Sequence, residues 1–116
     1  MVANTIGTSN VALGYQALYS NTTGITSTAV GYEAMYSSTG GYNSGFGHSA
    51  GRGITSGQYN TAIGFRSMYK TTNGDNNTVV GYQSLYNNTA GGYHVAIGTQ
   101  ALYGVATATT LVAVGY

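Results

Sequence analysis

The sequence contains no cysteine, no proline and no tryptophan, and only three basic and two acidic side chains among 116 residues. Without cysteine there are no disulfides, no thiolate metal sites and no cysteine nucleophile. Charged residues make up 4% of the chain, where a soluble domain carries about 25%. A net charge of +1 gives no field to gather nucleic acid or anionic lipid, so neither is expected as a partner. The longest weakly polar run, Val105 to Gly115, is far shorter than the ~20 apolar residues of a membrane helix, so no membrane insertion is expected. Residues 1–14 lack the basic start of a secretory signal. The hydrophobic share of 42% is nevertheless too high for a disordered chain. The length fits one domain, 1–116, and its scarcity of charge predicts association with other chains.

What is present is a repeat. A glycine closing the phrase small–aliphatic–Gly recurs at Gly14, Gly31, Gly47, Gly64, Gly81, Gly98 and Gly115, with spacings of 17, 16, 17, 17, 17 and 17. A second glycine, at Gly7, Gly24, Gly41, Gly57, Gly74 and Gly91, precedes its partner by seven residues, or six in the short repeat. A large apolar residue stands before the first glycine each time: Leu13, Val30, Phe46, Ile63, Val80, Ile97 and Val114. Small residues such as Ala12, Ala29 and Ala62 come before that. Tyr19, Tyr36, Tyr69, Tyr86 and Tyr103 form one tyrosine column, and Thr22, Thr39, Thr55, Thr72 and Thr89 form a threonine column. The remaining tyrosines fall into two further columns.

Seventeen residues are too few for a helical hairpin, which needs about 33, but they suffice for one coil of a β-solenoid. The expectation is therefore an all-β solenoid of six to seven coils, each with two short strands joined by two turns. Phrases such as Thr72-Asn73-Gly74-Asp75 supply the turns. Stacking sets like residues roughly 4.8 Å apart, giving a body roughly 32 Å long. The small side chains on one strand face read as an approach surface for another chain. One repeat departs from the rest: Asn43 to Gly53 places His48 and Gly51-Arg52 where aromatic and Leu/Met-Tyr residues are usual. It reads first as a bulge absorbing the missing residue, and second as a local binding patch.

Enzyme chemistry is not expected. Glu33 and Asp75 are the sole carboxylates, about two and a half coils or roughly 12 Å apart on the axis, wider than the ~5–9.5 Å of a glycosidase pair. His48 and His94 lie in different columns without metal-ligand spacing, so no metal or cofactor is expected. Asn21-Thr22-Thr23, Asn76-Asn77-Thr78 and Asn87-Asn88-Thr89 match glycosylation sequons.

Nearly the whole chain carries the phrase seen in Val11-Ala12-Leu13-Gly14-Tyr15-Gln16-Ala17-Leu18-Tyr19 and again in Thr28–Tyr36, Thr61–Tyr69, Val79–Tyr86 and Val95–Tyr103. It resembles the YadA-like head repeats of trimeric autotransporter adhesins and the similar repeats of phage tail-fibre proteins. That resemblance implies a left-handed β-roll, commonly trimeric, serving as a rigid stalk or adhesive tip. The adhesin repeats are about 14 residues long, so the longer period here implies an enlarged turn.

Both terminal repeats read as uncapped, with Ile6 at one end and Val112, Val114 and Tyr116 at the other. Repeat arrays that remain single need polar caps, so head-to-tail stacking is expected, a contact that does not close and makes fibres. The reading of the sequence is thus a non-enzymatic subunit of an extracellular filament or virion appendage, with itself as chief partner. A tail-fibre or adhesin-head segment contacting a cell-surface glycan is the alternative, and an ice-binding solenoid or functional amyloid are lesser ones.

Overall fold

The alternation of side-chain size in phrases such as Thr61-Ala62-Ile63 produces a strand, and repetition produces a sheet. The structure, a computed structural model, describes residues 4–116. Seven three-residue strands, β1 (Val11–Leu13), β2 (Thr28–Val30), β3 (Ser44–Phe46), β4 (Thr61–Ile63), β5 (Thr78–Val80), β6 (Val95–Ile97) and β7 (Val112–Val114), form one parallel sheet in chain order. Ala62 pairs with Val79 and Val79 with Ala96, so residues one repeat apart lie side by side along the whole chain. The chain is an all-β solenoid measuring 38 × 22 × 17 Å.

Each coil has one strand among the described residues, not the two expected. The rest is turn, because left-handed residues interrupt any extended run. In most coils three non-glycine positions have φ between 48° and 61°, illustrated by Gln83, Leu85 and Tyr93. Each such residue costs about 1 kcal/mol. The cost is offset because the turn amides also bond between coils: Leu85 N–H donates to Ala101 O at 2.8 Å, and Gln83 N–H to Phe65 O at 2.9 Å. The neighbouring coil satisfies groups that a solvent-facing turn would leave to water.

The core is thin and made of columns. Alanines of the strands face inward, together with Leu18, Met35, Met68 and Leu85 from the turns. The third coil lacks bulk at Gly45 and Gly51, and neighbours fill the space. A Cβ on Gly45 would collide with Met35, and one on Gly51 would press on Ile54 and Met35. Volume is conserved across coils rather than within one.

The irregular repeat is not a bulge at 43–53. The omitted residue belongs to the preceding turn, where Ser38-Thr39-Gly40 does the work of Asn21-Thr22-Thr23-Gly24. Gly40, not Gly41, continues the second glycine column, since a Cβ on Gly24 would meet Gly40 O and one on Gly40 would meet Gly57 O.

The first glycine column is set by two constraints together. Its φ values of 122–139° exclude side chains, and a Cβ on Gly64 would lie against the carbonyl oxygen of Gly81 in the next coil. Gly64→Ala is therefore expected to lower stability by about 3 kcal/mol or more in urea denaturation. Gly104→Ala is the matched control, because a Cβ there meets nothing within 4 Å, and its change should stay within about 0.5 kcal/mol. Equal effects of the two would contradict the close-approach account.

Candidate assembly surface

The strand faces are inverted relative to expectation. The small column faces the core, with Ala62 at 0% exposure, while its large neighbour Ile63 is 39% exposed. The reason is room: the side of the solenoid opposite the strand already sends Leu or Met inward, so the facing column is mostly alanine, with Val79 its largest member. The outward face of the strands instead carries the apolar column Leu13, Val30, Phe46, Ile63, Val80, Ile97 and Val114. Beside it runs an aromatic column of Tyr15, Tyr32, His48, Phe65 and Tyr82, interrupted at Thr99. No Asp, Glu, Lys or Arg stands in either column, nor in the third outward column from Val11 to Val112. Together the three columns make a strip of roughly 500 Å², in the size range of functional surface patches.

The rings stack along the axis. Tyr15 and Tyr32 lie 5.2 Å apart, Tyr32 and His48 4.8 Å, His48 and Phe65 5.2 Å, and Phe65 and Tyr82 5.5 Å. On another side Tyr19 stacks on Tyr36, and Tyr69 on Tyr86 and Tyr86 on Tyr103. Stacking turns ring faces toward each other and ring edges outward, so open ring faces occur where a column is interrupted or ends.

The gap between Tyr36 and Tyr69 is filled by Arg52. Its guanidinium carbon lies 5.0 Å from the Tyr36 ring centre and 5.7 Å from that of Tyr69, while Nε donates to Glu33 Oε2 at 2.7 Å. That bond to Glu33 raises the Arg52 pKa, and the same carboxylate holds the Tyr32 phenol above the usual tyrosine range. Arg52 and His48 thus occupy ladder positions and do not meet as one patch: His48 belongs to the strand-side aromatic column and Arg52 to the tyrosine column. Arg66 and Lys70 also lie over aromatic rings, so every cationic side chain other than histidine is placed on a π face.

The threonines form a corner rank in which Thr39, Thr55, Thr72 and Thr89 each donate their hydroxyl hydrogen to a carbonyl of the next coil, Thr72 to Thr89 O at 2.8 Å. A column that sequence reading missed runs from half-buried Asn10 through Ser27, Asn43, Asn60, Asn77 and His94, which are buried. The backbone N–H of Asn60 donates to Asn43 Oδ1, that of Asn77 to Asn60 Oδ1, and that of His94 to Asn77 Oδ1, at 2.9–3.0 Å. The Asn60 amide then donates to Gly74 O at 2.8 Å. Recurrence of Asn four residues before the first glycine was the available signal, but buried asparagine is uncommon enough to be read as turn.

His94 continues this column, fully buried at 0% exposure. Its Nδ1 accepts the Leu111 N–H at 3.2 Å, so that nitrogen carries no proton. Burial lowers its pKa below the ordinary histidine value. Of the sequon asparagines, Asn21 is buried and donates to Gly24 O, whereas Asn76 is exposed. Among the predicted end residues, Ile6, Val112, Val114 and Tyr116 are all exposed. Glu33 is engaged by Arg52 and Asp75 by the Gln58 N–H, so the two carboxylates do not converge.

Two measurements check these assignments. Unfolded histidine binds a proton below about pH 6.5, whereas His94 in the fold resists it, so the unfolded state takes up more protons as pH falls. Stability should hold above that value and decline below it, and His94→Asn should flatten the decline in denaturation curves between about pH 7.5 and 5. Arg52→Ala should cost about 1–2 kcal/mol, while Arg52→Tyr, which restores a ring to the column, should cost less in the same thermal unfolding assay. Compared with protein-family models, curated proteins and solved structures, the chain matches none.

Proposed function

We propose that this chain is a structural, non-enzymatic building unit of an extracellular filament or virion appendage, which grows by placing coil upon coil. The observation that carries the reading is self-complementarity along the axis. Most coils offer their neighbours the same kinds of group, glycine carbonyls, asparagine amides, threonine hydroxyls and ring faces, as between Asn60 and Asn77 or Tyr69 and Tyr86. Such a surface accepts another coil of the same kind whichever chain supplies it. A contact of this type is heterologous and extends without closing.

The uncharged strand strip supports a second, lateral contact between chains. Two strips meeting would bury about 1,000 Å² in total, the lower bound of a specific interface. This supports the alternative of a tail-fibre or adhesin-head segment, with several copies around one axis.

Electron microscopy of the purified chain at neutral pH tests the filament reading. Thin rods much longer than the 38 Å body are expected, and uniformly dispersed single particles would contradict it. For the lateral contact, Ile63→Lys places a charge on an exposed strip position. It should leave the circular dichroism unchanged and lower the assembly mass in analytical ultracentrifugation; an unchanged mass would contradict lateral use of the strip.

A further inference from the structure

The tyrosine column filled by Arg52 has a counterpart that nothing fills. Tyr42, Tyr59, Asn76 and Tyr93 occupy one column, with φ of 59°, 57°, 57° and 61°. Tyr42 and Tyr59 stack at 5.0 Å. One repeat further stands Asn76, whose short side chain cannot cover a ring, and one repeat beyond that stands Tyr93. Tyr59 and Tyr93 are therefore two rungs apart, roughly 10 Å, and both are open to solvent at 55% and 64% exposure.

The gap spans two rungs, as does the one that Arg52 occupies between Tyr36 and Tyr69, where a planar cation lies 5.0 and 5.7 Å from the two ring centres. A carboxylate also stands beside it, at a different position from Glu33. Arg52 is paired by Glu33; beside Asn76 stands exposed Asp75, which is tied to both walls. Its Oδ1 accepts the N–H of Gln58, next to Tyr59, at 2.7 Å, and its backbone carbonyl accepts the N–H of Tyr93 at 3.0 Å. Among the described residues no basic side chain pairs with it.

We propose that Tyr59, Asp75, Asn76 and Tyr93 form a slot for a guanidinium group, the side chain of an arginine presented by a partner. A guanidinium stacks on aromatic faces and meets a carboxylate through two parallel N–H groups, whereas an ammonium is a strongly hydrated point charge without a face. The walls supply the faces and Asp75 the acceptor. Asn76 contributes shortness, leaving the rung open where tyrosine would close it.

The test is an NMR titration of the full chain with N-acetyl-arginine amide, beside N-acetyl-lysine amide and methyl glucoside. Shifts confined to Tyr59, Asp75, Asn76 and Tyr93 are expected with the arginine probe, saturating in the range of about 10 mM, and smaller ones with lysine. Asp75→Asn should weaken binding about threefold or more. Asn76→Tyr should abolish it while preserving the fold, because tyrosine already holds this backbone conformation at Tyr42, Tyr59 and Tyr93. The proposal is overturned by absence of shifts at the slot up to about 100 mM, by their persistence in Asn76→Tyr, or by methyl glucoside producing the larger response.

Discussion

Glycine carbonyls set the distance between coils. A Cβ at Gly64 would collide with Gly81 O, and one at Gly57 with Gly74 O. With glycine in both columns up to Gly91, after which Ala108 stands in the second, backbone meets backbone at two places in successive coils. Everything else follows from that approach: parallel pairing from β1 to β7, inter-coil bonds from turn amides, and rings held about 5 Å apart. Left-handed residues such as Leu85 and Gln83 are tolerated because the coils on either side take up the amides they redirect, Ala101 O that of Leu85 and Phe65 O that of Gln83.

Once the spacing is fixed, a position is defined by what it offers along the axis rather than by residue type. Arg52 substitutes for a tyrosine because guanidinium is planar and meets rings on both sides. His48 continues an aromatic column between Tyr32 and Phe65. His94 continues an asparagine column because neutral imidazole presents an acceptor at Nδ1 where asparagine presents Oδ1. These substitutions are chemically unlike and geometrically equivalent. They also introduce the features that an all-tyrosine, all-asparagine solenoid would lack: an internal ion pair and a buried group that titrates.

The period and the solenoid were legible in the sequence because both glycine columns and the tyrosines repeat visibly. Three features were not. The second strand was expected from length alone, and φ of about +50° at residues such as Gln83 and Leu85 has no compositional mark. The strand faces were inverted, because alternation of Ala62 with Ile63 shows that the faces differ without showing which is inside. The short repeat was misplaced to 43–53, since two adjacent glycines, Gly40 and Gly41, compete for one column and only coil contacts decide between them. In each case the missing information is long-range: it depends on the next coil, not on the local phrase.

The central claim is that residues one repeat apart are superposed throughout the chain. Nuclear Overhauser contacts in isotopically labelled protein report this directly. Cross-peaks are predicted between the backbones of Ala62 and Val79 and of Val79 and Ala96, and between the rings of Tyr69 and Tyr86. Absence of these contacts in a folded sample, or a set of short-range contacts typical of helix in their place, would contradict the account.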